Sequence, residues 1–178
     1  MSYAQLKAAL WNRSGARVHA VVDGLVLPGL PQRLAEAEVT GFDCIERGAL
    51  SPQQAARAAY VAELRADSPF TDWLLGEAVK VHPGWGVVMI TSHSLLQVRE
   101  HCRSLAQVAT PEGERRALRW WDAEVLCVLL PALRPSQLDE FFGIGQTLVL
   151  PARDAWTWHA MEQGTLATTQ RRLMSVAA

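Results

Sequence analysis

An α/β fold is what this sequence predicts: a mixed sheet of about five to seven strands with helices packed on it. Three observations carry that expectation. Serine-led helix starts recur along the chain, β-branched runs fall between them, and Val87-Val88-Met89-Ile90 is apolar at every position, as a central strand covered on both faces should be. The chain has 178 residues, 49% of them hydrophobic and 20% charged, which suits one domain of ordinary size, or one core domain with a short appendage.

The helix starts rest on local hydrogen bonding. Ser2 with Gln5, Ser51 with Gln54 and Ser94 with Gln97 each set a serine where it can accept from free backbone N–H groups and a glutamine where it can return the bond. Pro52 and Pro69 stand at first helical positions, where a missing N–H costs nothing. Helices are therefore expected near 3–13, 52–57, 69–81 and 94–104. Within the third, Phe70, Trp73, Leu74, Ala78 and Val81 form one apolar stripe.

Strands are expected at Arg17–Val22, Tyr60–Leu64, Trp85–Thr91, Leu105–Thr110, Arg115–Trp121 and Thr147–Leu150. The fourth and fifth, joined by Pro111-Glu112-Gly113-Glu114, read as a hairpin over 105–121. From Glu124 to Leu133 the apolar residues surround the helix axis, so this helix is either fully buried or docks a partner. Ser136 is expected to cap a further helix that runs through Phe141-Phe142 and stops at Gly143. Residues 1–150 read as the core domain. Residues 151–178 read as an extension, with Trp156 and Trp158 alternating like strand residues and Thr168–Ala178 resembling a curtailed helix or the start of a second lobe.

Charge and cysteine usage exclude several classes. Seventeen basic against eighteen acidic residues leave a net charge of -1, so this is not a polycation that grips nucleic acid. Cys44, Cys102 and Cys127 form no CxxC pair, which fits a reducing compartment. No apolar run reaches the ~18 residues that would cross a membrane, and no leader pattern opens the chain. The expected location is the cytoplasm.

Motifs for chemistry are sparse, and neither a cofactor nor a metal is expected. No GxSxG is present, and Ser92-His93-Ser94 reads as a strand end followed by a cap. Gly84-Trp85-Gly86 leads into a strand, and Gly143-Ile144-Gly145 ends a helix, so neither cradles phosphate. His19, His82, His93, His101 and His159 show no HxxxH or HExxH spacing. Asp23 and Asp122 follow strands and could meet as an acid/base or metal pair with a histidine, the basis of a small-hydrolase or metal-enzyme alternative. The other reading makes Asp23-Gly24 a turn and Asp122 a helix cap, a structural corner without catalytic residues. Trp120 and Trp121, taken as neighbours on a strand, point to opposite faces. Either one indole stays on the surface as a partner anchor, or both faces are covered and both rings are core.

With these segments in place, the chain resembles the bacterial adaptor family catalogued as domain of unknown function 4123, whose members serve type VI secretion. The resemblance is carried in order by Val21-Val22-Asp23-Gly24, Tyr60-Val61-Ala62-Glu63-Leu64, Phe70-Thr71-Asp72-Trp73-Leu74-Leu75, Trp85-Gly86-Val87, and above all Arg119-Trp120-Trp121-Asp122-Ala123-Glu124-Val125-Leu126. Leu130-Pro131-Ala132-Leu133, Gln137-Leu138 and Phe141-Phe142-Gly143 complete it, over residues 17 to about 150. The resemblance implies an adaptor, or chaperone, that binds one toxic effector protein and helps load it onto the secretion spike protein, with no nucleic-acid or membrane partner and no catalysis. The family's corner carries Asp followed by Pro, and here Ala123 replaces the Pro. Many relatives continue into a further helical lobe. Trp120, Trp121, Val125, Leu129, Leu133 and Phe142 are the partner-binding candidates, and a structural subunit of an assembly is a third reading.

Overall fold

A computed structural model describes residues 1–110 and 112–174. The first segment is α1 (Tyr3–Leu10), β1 (Arg17–Asp23), α2 (Leu30–Glu36), β2 (Gly41–Cys44), α3 (Pro52–Arg57) and β3 (Ala59–Glu63). Next come α4 (Pro69–Asp72), a π-helical stretch (Trp73–Ala78), α5 (Val79–Val81), β4 (Gly86–Thr91), α6 (Leu95–Leu105), β5 (Gln107–Ala109) and β6 (Arg115–Ala117). The chain then forms α7 (Ala123–Ala132), α8 (Pro135–Phe142), β7 (Thr147–Pro151), β8 (Ala155–Glu162) and β9 (Thr165–Arg172).

The expected α/β architecture is present. Among the described residues the main sheet has seven strands in the order β2-β3-β1-β4-β7-β8-β9, so the all-apolar strand β4 lies at its centre. Every neighbouring pair runs antiparallel; the fold mixes helix with strand and does not mix strand directions. Side chains alternate across the central strands. Val18, Ala20, Val22, Val88 and Ile90 face a core closed by Leu6, Leu10, Leu30, Leu34 and Leu74. Val21, Val61, Val87 and Met89 face a second core closed by Val98, Leu126, Leu130, Leu138 and Phe141. Helices thus cover both faces, which is why the central strands are apolar throughout.

The serine-glutamine pairs make the helix starts. Gln5 and Gln54 each accept from the cap's backbone N–H at 2.9 Å while the serine Oγ accepts in return, and Gln97 accepts from Ser94 N at 3.0 Å. The last helix begins earlier than expected. Arg134 is its cap, with Pro135 at the first position and Gln137 Oε1 accepting from Arg134 N at 3.0 Å, so Ser136 lies inside the helix. Proline's fixed φ selects that start over the serine.

Three further expectations are corrected. The apolar stripe of 69–81 does not continue to Val81, which is 71% exposed; the π turns over Trp73–Ala78 hold an extra residue and shift burial to Leu75 and Val79. The hairpin over 105–121 contracts to β5 and β6, a separate two-stranded sheet, and Trp120-Trp121 sit in the turn before α7. Its Pro111 lies outside the described residues. Finally, residues 151–174 add two strands to the main sheet. β8 pairs with β7 and β9 with β8, Trp156 and Trp158 enter the first core, and the helix expected from Thr168 is strand through Arg172. Ser175–Ala178 of that expected helix lie outside the described residues.

The end of β1 is the tightest place in the sheet. Gly24 N donates to Ala58 O at 2.9 Å and Asp23 N to Trp85 O at 2.8 Å, drawing three backbones together. A Cβ on Gly86 would lie 1.9 Å from Val21 O, at a φ of +148° that side chains rarely adopt. A glycine there is a packing requirement.

Candidate partner-binding surface

Asp23 organises the corner where β1 meets the approach to α7. Its carboxylate is buried, with Oδ1 accepting from Leu25 N at 2.8 Å and Oδ2 from Trp121 Nε1 at 2.8 Å and Arg119 Nε at 3.1 Å. Arg119 Nη2 also pairs with Oδ2. A buried carboxylate needs such compensation, and here a guanidinium and an indole provide it. Asp122 is spent differently, its Oδ1 accepting from Glu124 N at 2.9 Å as the cap of α7.

The acid/base or metal alternative calls for Asp23, Asp122 and a histidine together, and the hydrogen bonds of the two carboxylates among the described residues go to other groups. His93 Nδ1 lies 3.1 Å from Thr91 Oγ1, His101 Nε2 lies 2.9 Å from Phe141 O, and His159 Nδ1 lies 3.0 Å from Thr168 Oγ1. Burial holds the His101 and His159 rings below the ordinary imidazole value. His19 is fully buried, neither ring nitrogen has a hydrogen-bond partner among the described residues, and burial followed by the Arg17 charge lowers its pKa to about 4. No group of three or more His, Cys, Asp or Glu side chains is placed to hold a metal ion among the described residues.

The tryptophan pair does not present an exposed anchor. Trp120 is 0% and Trp121 5% exposed, and both rings enter the second core because a turn, unlike a strand, does not send successive side chains to opposite faces. Trp120 Nε1 donates to Cys102 O at 3.2 Å, and its ring meets Phe141 edge-on at 5.6 Å. Phe142 is buried too.

The arginine-tryptophan-tryptophan-aspartate block therefore builds the corner and launches α7. The family described as "Domain of unknown function (DUF4123)" matches residues 18–140, well over half of the chain and including that block. The chain belongs to this family. No curated protein and no solved structure matches it.

In this family member, α7 carries apolar residues on its outer face as well as on its inner one. Leu126 and Leu130 point into the second core, and Leu129 and Leu133 flank them, half-buried against it. Val125 is half-buried, while Cys127, Val128, Pro131 and Ala132 face outward, with Val128 74% exposed. A helix that is apolar all round is ordinarily covered all round, which makes this outer face a candidate docking surface. Of the residues singled out by sequence, Val125, Leu129 and Leu133 border this face. Val128 was not singled out, although its position almost opposite Leu126 and Leu130 on the helical wheel marks it. No helix among the described residues is long and apolar enough to cross a membrane.

Proposed function

We propose that this chain is a cytoplasmic adaptor, or chaperone, of a bacterial type VI secretion system. It binds one toxic effector protein and helps load it onto the secretion spike protein, without catalysis of its own. The observation that carries the reading is the outer face of α7, where Val128 stands 74% exposed beside exposed Cys127, Pro131 and Ala132 on a helix otherwise built for a core. A surface of that kind suits the centre of a protein–protein interface, where apolar groups leave water and a polar rim encloses them. Membership of the family, matched over residues 18–140, supports the reading together with the resemblance to secretion adaptors drawn from the sequence. The three free cysteines suit a reducing compartment.

The test is co-expression with candidate effector and spike proteins from the same genome, followed by affinity capture on the effector. The reading expects this chain to be retained with the effector and effector delivery to stop when its gene is deleted. An effector that is soluble, elutes alone and is still delivered without this protein would refute it.

A further inference from the structure

Three adjoining hollows, of about 660, 280 and 600 Å³, run from α3 past the Asp23 corner to the β5–β6 hairpin. The first and second share Glu46 and Arg57; the second and third share Arg47, Arg103 and Gln107. Together they form one trough, and no α7 residue lines it.

Its charge is one-sided. Five arginines, Arg47, Arg57, Arg103, Arg115 and Arg119, line the trough against two carboxylates, Asp23 and Glu46. Asp23 is buried and committed to Arg119 and Trp121. Arg119 gives Nε and Nη2 to Asp23 and remains 42% exposed, which leaves Nη1 for a ligand. Glu100 serves Arg47, Arg99 and Arg103 at once, so it does not neutralise the three. Arg57 and Arg115 are exposed and have no carboxylate partner among the described residues. Arg103 is fixed rather than swinging, because Nε donates to Ile45 O at 2.8 Å and Nη2 to Cys44 O at 3.1 Å and Glu46 O at 3.0 Å.

We infer that the trough binds an extended, acidic segment of a partner polypeptide, whose carboxylates meet Arg57, Arg115 and the free edge of Arg119. Forked guanidiniums match carboxylates in bidentate geometry. Leu50, Leu25 and Val108, spaced between the arginines, suit the apolar side chains of such a segment. A nucleic acid strand fits less well, since single-stranded binders stack bases on open aromatic rings and Trp121, the aromatic residue of the lining, is buried. The inference stands apart from the secretion reading and from the α7 face.

Fluorescence anisotropy with a labelled peptide of alternating Glu and Leu, at low ionic strength, tests it. Alternating Lys and Leu, and a single-stranded oligonucleotide, are the comparison probes. The acidic peptide should bind, weaken as salt is raised, and lose about tenfold in affinity with Arg57→Glu and more with Arg57→Glu combined with Arg115→Glu. Arg134→Glu, outside the trough, should change nothing. Both trough arginines are exposed, so the variants should melt as the parent does. No binding of the acidic peptide, equal binding by the double variant, or tighter binding of the oligonucleotide would overturn the inference. The α7 reading is read separately by capture on the effector with the Arg57 and Arg115 variants.

Discussion

Asp23 holds four donors from three residues, Leu25, Arg119 and Trp121, on one buried carboxylate, and so joins β1 to the turn that carries the tryptophan pair. Asp23→Ala leaves the Trp121 indole N–H buried without an acceptor and removes the counter-charge of Arg119. Because Arg119 is part-exposed and can turn to water, the cost is set mainly by the buried groups, about 2–3 kcal/mol. Urea unfolding should show the midpoint falling with the slope unchanged, and an unaltered midpoint would remove Asp23 from this role. His19 makes the second residue-scale prediction. With its folded pKa lowered from 6.5 to about 4, the unfolded chain takes up a proton that the folded chain refuses. Its stabilising contribution is therefore complete above pH 6.5 and is lost as pH falls toward 4, amounting to up to about 3 kcal/mol. Glu63, with Oε2 at 3.7 Å from Nε2, is beyond hydrogen-bond reach and also pairs with Arg17 at 3.3 Å. Urea unfolding across this pH window should show a distinctly flatter pH dependence for His19→Leu, with a residual slope from His101 and His159, which shift the same way. An identical slope in parent and variant would contradict the assignment.

At the scale of elements, the last two strands complete the sheet. Trp156 and Trp158 of β8 sit in the first core, and Tyr3 of α1 meets Trp156 edge-on at 6.3 Å. A chain cut after Pro151 should therefore lose its fixed tertiary structure, measured as loss of near-ultraviolet dichroism; a well-folded truncated chain would show 152–174 to be an appendage. Which elements were legible in the sequence follows from how local their causes are. Helices led by Ser2, Ser51 and Ser94 announce themselves because a capping pair lies within four residues. The helix α2 has no such pair: its cap is Gly29, in left-handed conformation with φ 73°, making no side-chain bond. The strand β2 reads Gly-Phe-Asp-Cys, with no β-branched run to mark it. The strand β9 is polar and edge-lying, so its sequence shows no apolar alternation. Its signal was the turn instead, Gln163-Gly164 with φ of 51° and 77°, the paired left-handed conformation of a tight hairpin.

For the whole molecule, a sheet covered on both faces satisfies its own cores and leaves part of its remaining apolar surface on the outside of a covering helix, α7. The candidate site was legible in outline, since the all-round apolar character of Glu124–Leu133 marked α7 as either buried or docking. Which face docks was not legible, because that depends on how α7 leans on the sheet, and Trp120-Trp121 drew attention inward, to rings that build the corner. A second copy of this chain and a foreign polypeptide make different use of the same face, and sedimentation separates them: the adaptor reading expects a monomer without its client. The most direct measurement is size-exclusion chromatography of the effector mixed at micromolar concentration with the parent and with Val128→Asp, an exposed site whose change leaves both cores intact. The parent should co-elute with the effector, and the variant should lose at least about 2 kcal/mol of binding and elute apart. Co-elution of both proteins alike, or of neither, would contradict the assignment of α7 as the docking face.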